Sequence, residues 1–356
     1  MRLVALNALV LLGLLVIAEV TLRAIGWQPA SRFSTMQYEI DPMAGPWHVP
    51  SQTAFVHAPC FEVDAVHVNR YGMRDRERTL AAAGLRIALV GDSFTEALQV
   101  PDDKTVSHRL EALLAGRAEV LNFGVSSTGT AVQLLNYRKR VRPFRPDVVL
   151  VMFFAGNDVE DNLPSLKRKS DPIMADVSPY LLLDADGVLN DTPAPGRFTR
   201  TSPLVRIVGM TVLGRWVYQA YQSMRVGAAL TAVSGTADDS SQAADREAAW
   251  NITEQVLLRF HRDVTEDGAR FGVVLIPGPD AAETQQVVER LTAVSRRGPF
   301  PVVDLAAVFG NTPESAADKD ALSFPCDAHW NSRGHEKAAV ALLAFLEHEQ
   351  WLERRQ

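Results

Sequence analysis

The sequence predicts an α/β fold, a parallel sheet covered by helices on both faces, entered through an apolar amino-terminal helix. Three observations predict it. From residue 85 onward, short apolar runs alternate with segments of helical period, the pattern of strands joined by crossover helices. The polar motifs of this part fall at the ends of those runs or just before the last helix, and such sheets bind ligands beyond the carboxyl ends of their strands. Residues 3–25 are apolar and almost uninterrupted, long enough to cross a bilayer.

The chain begins with that apolar tract. Arg2 precedes it, and Glu19 and Arg23 fall where the far interface would lie. A cleaved signal peptide would need a small-x-small site, and Val16-Ile17-Ala18 is one, but the apolar run reaches right up to it. An uncleaved anchor is therefore favoured over a signal, with a buried core helix as the third reading. The short positive tail puts the amino terminus in the cytoplasm and the rest of the chain on the extracytoplasmic side, periplasmic or at the cell surface. The expected organisation is anchor or signal at 1–26, an irregular lead-in at 27–84, and one main domain at 85–350.

The lead-in is rich in Pro, His and aromatic residues. Only Val66-His67-Val68, before the turn Asn69-Arg70-Tyr71-Gly72, reads as a strand. The first strand of the main domain is 86–90, ending at Gly91-Asp92-Ser93. A helix at 104–115 follows, with Val106, Leu110, Leu113 and Leu114 on one face. The second strand, 118–121, ends at Asn122-Phe123-Gly124. A helix at about 129–141 is stopped by Pro143 and Pro146. The third strand, 147–154, ends at Ala155-Gly156-Asn157-Asp158. Residues 159–245 break the rhythm, with many prolines, an apolar stretch at 204–222 and a small-residue acidic linker at 231–244. This insertion reads as a lid, a membrane-proximal or partner surface, or a plain helical cap. The rhythm resumes with a helix at 246–265, a strand at 272–276, a helix at about 280–296, a strand at 301–305 and a last helix at about 333–348.

Composition narrows the function. Hydrophobic residues at 47% and charged residues at 22% fit a globular protein with a real core. A formal net charge of −6 argues against a general nucleic-acid binder, which needs a basic excess. The two cysteines, Cys60 and Cys326, lack zinc-site or Cys-x-x-Cys spacing. In a reducing compartment both read as buried thiols; if the domain lies outside the cytoplasm, the two could instead form a disulfide tying the lead-in to the segment before Asp327, and the sequence leaves that choice open.

The turns support acyl chemistry. A serine hydroxyl needs a base within hydrogen-bond reach, and the base needs an orienting acid. Ser93 is the candidate nucleophile, His329 the base and Asp327 the acid. An extended Asp327-x-His329 segment would point both side chains to one side. Candidate donors to a developing oxyanion are the Ser93 N–H, the Gly124 N–H and the Asn157 amide. Taken singly, Gly-Asp-Ser is an ordinary turn, Asn157-Asp158 is turn chemistry, and Asp327-x-His329 is a capping loop or, with His335, part of a metal site. No metal or cofactor is expected, because no third cluster of ligands is evident.

Gly91-Asp92-Ser93-Phe94, Gly124, Gly156-Asn157-Asp158 and Asp327-x-His329 together resemble the four blocks of the SGNH/GDSL hydrolases, over about residues 66–345. Asn69-Arg70-Tyr71-Gly72-Met73-Arg74 resembles a lead-in motif of membrane-anchored bacterial members. The resemblance implies a flavodoxin-like three-layer α/β/α sandwich with a five-stranded parallel sheet. It implies Ser93 as nucleophile, Gly124 and Asn157 as oxyanion donors, and Asp327 and His329 as acid and base. Two departures stand out. Only Ala328 separates acid and base where many members have two residues, which is similar to members acting on acylated bacterial polysaccharides. Ala97 stands where related sequences often have glycine. The expected function is hydrolysis of acyl esters, acetyl esters first, on cell-envelope carbohydrate or another small ester. The alternatives are an O-acyltransferase with the same triad and a silent glycan-binding scaffold.

Overall fold

The computed structural model describes residues 2–25, 27, 33–81, 84–194, 211–217, 220–221, 224, 239–310 and 322–353. Helix α1 (Arg2–Ala24) matches the apolar tract and is exposed along nearly its whole length. It is long and apolar enough to be a membrane anchor or a signal sequence.

The lead-in is more regular than expected. It holds β1 (Phe33–Ser34), β2 (Tyr38–Asp41), β3 (Gly45–His48), β4 (Gln52–Ala58) and β5 (Phe61–Val68). Strands β1, β4 and β5 form an antiparallel sheet, and β2 pairs with β3. β5 shows why: Phe61 and Val63, then Val66 and Val68, are buried while Glu62, Asp64 and His67 are exposed, a period-2 pattern whose phase shifts by one residue at Ala65, opposite an irregularity between Ala54 and Val56. Together with Ala54 and Val56 these residues form a small core of their own.

In the main domain, β6 (Leu85–Gly91), α2 (Ser93–Glu96), α3 (Val106–Leu114), β7 (Ala118–Gly124), α4 (Thr130–Asn136) and β8 (Val148–Phe154) follow in order. The insertion contributes α5 (Pro164–Ser170), α6 (Pro172–Ala175) and the hairpin β9 (Tyr180–Leu183)–β10 (Leu189–Thr192). Most of the apolar stretch at 204–222 and the linker at 231–238 lie outside the described residues. Residues 239–244, expected as linker, begin the long α7 (Asp239–Glu266). Then come β11 (Arg270–Ile276), α8 (Ala281–Arg297), β12 (Val302–Asp304), α9 (Leu305–Phe309) and α10 (Ser332–His348).

The sheet order is β12-β11-β8-β6-β7, and every pairing is parallel. Strand alternation divides the core in two. Val149, Val151 and Phe153 of β8 pack with Val256, Leu257 and Phe260 of α7. Val148, Leu150 and Met152 pack on the other face with Leu110 and Leu114 of α3 and Leu342 of α10. This is the expected three-layer α/β/α sandwich. β6 lies between β8 and β7, so the turn after it is flanked by the turns after both neighbours.

Candidate active site

Ser93 opens α2 immediately beyond β6. The preceding Asp92 caps that helix by accepting the Phe94 N–H at 2.9 Å. His329 Nε2 lies 2.8 Å from Ser93 Oγ. His329 Nδ1 faces two acceptors, Asp327 Oδ1 at 2.8 Å and the Asp327 carbonyl at 3.0 Å. Those partners assign the proton to Nδ1 and leave Nε2 as an acceptor for the serine hydroxyl, the tautomer a general base requires. The segment is not extended as expected. Ala328 has φ +57°, and this left-handed residue turns the chain so that the imidazole comes back against its own acid. The Phe94 ring packs on the His329 ring, with centroids 4.7 Å apart.

The oxyanion expectation divides. Ser93 and Asn157 lie beyond the ends of adjacent strands, β6 and β8. Gly124 does not join them. It is level with Gly91 in the sheet, two residues short of Ser93, and its N–H is donated to Asn122 Oδ1 at 2.9 Å. Its lack of a side chain answers a packing need, since a Cβ would come within 2.1 Å of the Glu96 nitrogen. The turn beyond β7 carries Ser127 at φ +59°. The neighbouring Ser126 donates its N–H to Glu96 at 2.9 Å, and the Ser127 carbonyl accepts Lys167 Nζ at 2.9 Å.

Residues 89–337 match the model of the GDSL-like Lipase/Acylhydrolase family. The chain belongs to that family. It is therefore an ester-cleaving hydrolase of the GDSL type, and this match spans the serine turn, the Asn157 turn and the Asp327–His329 loop. No curated protein matches the chain. Among solved structures it is similar to a lipase/acylhydrolase from Enterococcus faecalis, at 15% identity and TM-score 0.41 over 76% of this chain and 99% of that one. It is also similar to an acetyl xylan esterase, AlAXEase, at 9% identity and TM-score 0.43 over 74% and 100%. A psychrotrophic esterase from Pseudoalteromonas sp. gives 9% identity and TM-score 0.41 over 75% and 98%. Likenesses this distant carry no argument about the site.

In this GDSL-family member the lead-in reaches the serine turn through Tyr38 and His48, which no motif singled out, and through Arg74 of the lead-in motif. Glu96, at the end of α2, is fully buried. It accepts His48 Nε2 and the Tyr38 hydroxyl, each at 2.6 Å, and both the N–H and the hydroxyl of Ser126. Burial alone would push the Glu96 carboxyl up, but the His48 hydrogen bond and charge, then Ser126 and Tyr38, hold it down at about 2. His48 Nδ1 meets the Gly72 carbonyl at 2.9 Å, so both its nitrogens face acceptors. Arg74, from the lead-in motif, is buried and donates to the carbonyls of Glu96, Ala97 and Val100, which closes the carboxyl end of α2. Ala97 takes the left-handed conformation there, at φ +60°. The disulfide forms between Cys60 and Cys326, with Cα atoms 5.9 Å apart. It fastens the β4–β5 turn to the residue before Asp327, beside a contact of the Phe61 and Phe324 rings.

Behind the serine turn sit three buried acids, Asp92, Asp158 and Asp161. Burial raises Asp92 and, more strongly, Asp158, where the Asp92 charge adds to the effect. Asp161 pairs with buried Lys167 at 2.7 Å. His335 is buried against the Trp330 ring, and burial, with the charges of Arg74 and His329, takes it down to about 3. Among the described residues no three His, Cys, Asp or Glu side chains group as a metal site. A cavity of about 530 Å³ lined by Leu85, His108, Glu111 and Ala118 opens at the amino ends of β6 and β7, the end of the sheet away from Ser93.

Proposed function

We propose that the chain is a serine esterase that removes acetyl groups from cell-envelope carbohydrate through an acyl-Ser93 intermediate. The observation that carries this reading is the continuous relay Ser93 Oγ–His329–Asp327, with both contacts at 2.8 Å. Ser93 Oγ attacks the ester carbonyl while its proton passes to His329 Nε2. Asp327 steadies the resulting imidazolium through Nδ1–H. The oxyanion takes its hydrogen bonds from the Ser93 N–H, the Asn157 amide and, in place of Gly124, the Ser127 N–H. Glu96 and Lys167 hold the two residues around that last donor, which is the preorganisation such stabilisation needs. His329 then returns its proton to the departing sugar oxygen. A water activated by the same histidine releases acetate and regenerates Ser93.

The carbohydrate reading is supported by the single-residue spacing in Asp327-Ala328-His329, which resembles members acting on acylated bacterial polysaccharides. We read α1 as an uncleaved anchor with the catalytic domain on the extracytoplasmic side. The Cys60–Cys326 disulfide supports this, because such bonds persist in oxidising compartments. The test offers the full chain in detergent an aryl acetate and an acetylated polysaccharide, beside Ser93→Ala. Wild type is expected to release acetate from both, and the variant to lose at least about 10³-fold. Equal, slow release by the two proteins defeats the hydrolase reading. Acetate found on a sugar acceptor instead of in solution assigns an acyltransferase.

A further inference from the structure

The insertion leaves large apolar side chains open to solvent where it meets α1. Residues 212–217, 220–221 and 224 are helical. On one side of this segment Val212 and Arg215 are buried, with the Arg215 guanidinium 5.7 Å from the centre of the Phe55 ring in β4. On the other side Trp216, Val217, Tyr221 and Met224 are 52%, 56%, 49% and 67% exposed. Their spacing places them on one face of a helix. Such a cluster marks a contact surface rather than ordinary scatter.

The segment is attached to α1 at a defined level. Glu19 accepts the N–H groups of Val212 at 2.9 Å and Leu213 at 3.1 Å, two amides at the start of a helical turn that lack a partner within it. Glu19 also pairs with Arg23 at 2.7 Å. Ala18, Glu19 and Leu22, one side of the last turns of α1, are half-buried, while the described side chains of residues 2–17 are exposed. Seventeen residues of helix separate Arg2 from Glu19, a rise of about 25 Å against a hydrocarbon thickness of about 30 Å. The docked segment therefore meets α1 near the far edge of the hydrocarbon layer. Trp27, 38% exposed, follows the end of α1. Tryptophan and tyrosine favour that depth, with the ring in the apolar boundary and the polar edge in the headgroups.

Resting on the anchor reading, we propose that Trp216, Val217, Tyr221 and Met224 form a second membrane contact, seated in the lipid headgroup region beside the outer end of α1. The occupant of this face is lipid, because the face adjoins the outer end of a helix whose described side chains over residues 3–17 are exposed and almost all apolar. Two contacts, one spanning and one interfacial, fix the rotation of the main domain about α1 and hold the Ser93 turn at one orientation to the bilayer.

The test places single nitroxide labels on the full, disulfide-intact chain in phosphatidylcholine–phosphatidylglycerol vesicles, at Trp216→Cys, Met224→Cys, Leu11→Cys and Val340→Cys. Accessibility to oxygen, which concentrates in lipid, is compared with that to a water-soluble nickel chelate. Aryl acetate turnover at the wild-type rate shows that each labelled chain is folded. The labels at 216 and 224 are expected to show an oxygen-to-nickel ratio several-fold above the exposed control at 340, with 11 higher still. If 216 and 224 match 340 while 11 stays in lipid, the second contact is overturned and the anchor stands. If 11 is also in water, the anchor reading falls and the proposal with it. Labels shielded from both reagents and broadened by spin–spin coupling assign the face to a second copy of the chain and overturn the lipid contact.

Discussion

His329 has two acceptors on Nδ1, and this decides what its acid is worth. The Asp327 carboxylate supplies charge and orientation, while the Asp327 carbonyl at 3.0 Å holds the tautomer by itself. Replacing the carboxylate therefore leaves Nε2 able to accept from Ser93. Asp327→Asn is expected to lower kcat by on the order of 10²-fold, at the mild end of general-base losses, and clearly less than Ser93→Ala. Initial rates on an aryl acetate check this, and a loss equal to that of Ser93→Ala shows that the carbonyl contributes nothing. The residue types of this relay could be read in the sequence, since Asp-x-His beside a strand-end serine carries its chemistry openly. Its geometry could not. An alanine at φ +57° has no local signature, so Ala328 reads as extended. Gly124 misled in another way, because a glycine at a strand end reads the same whether its backbone approaches a substrate or, as here, the backbone of α2.

At the scale of elements, the lead-in grips both arms of the Ser93–His329–Asp327 relay. Glu96 joins β2 and β3 to the nucleophile helix through Tyr38 and His48, and Cys60 joins the β4–β5 turn to the loop of Asp327. Breaking the second grip frees a loop that closes 266 residues of chain separation. Cys60→Ser with Cys326→Ser is expected to lose about 2–4 kcal/mol of stability. It should also lower kcat with little change in KM, because the acid loses its setting while the substrate contacts stay. Urea unfolding and turnover, repeated on wild type with and without dithiothreitol, measure both. Unchanged kcat after reduction would falsify the idea that the disulfide positions Asp327. The main-domain elements were legible because each is a long apolar run or a clear helical face. The lead-in strands were not, except near Val66–Val68. β1 to β3 are two to four residues long and dense in Pro, His and aromatics, and the alternation in β5 changes phase at Ala65, between Phe61–Val63 and Val66–Val68. Arg74 could be seen in its motif and Glu96 lies just beyond the serine block, but their partners lie 48 and 58 residues away for Glu96, at His48 and Tyr38, and 22 residues away for Arg74. No local pattern announces such contacts.

For the molecule as a whole, the acids behind the serine turn set a slope in stability against pH. The ends of β6 and β8 bring Asp92 and Asp158 into the same buried space, where burial raises both, with the Asp161 charge adding at Asp92 and the Asp92 and Asp161 charges at Asp158. The folded chain thus holds protons that the unfolded chain has released. The stability those protons supply is complete below the ordinary carboxylate range and is lost as pH rises through the raised folded values. Asp92 is the better member to alter. Its Oδ1 caps Phe94 N–H, and the Asn157 side chain also draws its carboxylate down. Asp92→Asn keeps the capping oxygen and removes the charge. Its Tm is expected to exceed that of wild type at pH 8 and to converge with it near pH 4, where wild-type Asp92 is already protonated. Thermal unfolding at the two pH values measures the difference. A lower Tm for the variant at pH 8 would mean that the Asp92 charge stabilises the fold, and the Phe94 N–H hydrogen bond, which draws the Asp92 carboxyl down, would then be the interaction that outweighs its burial.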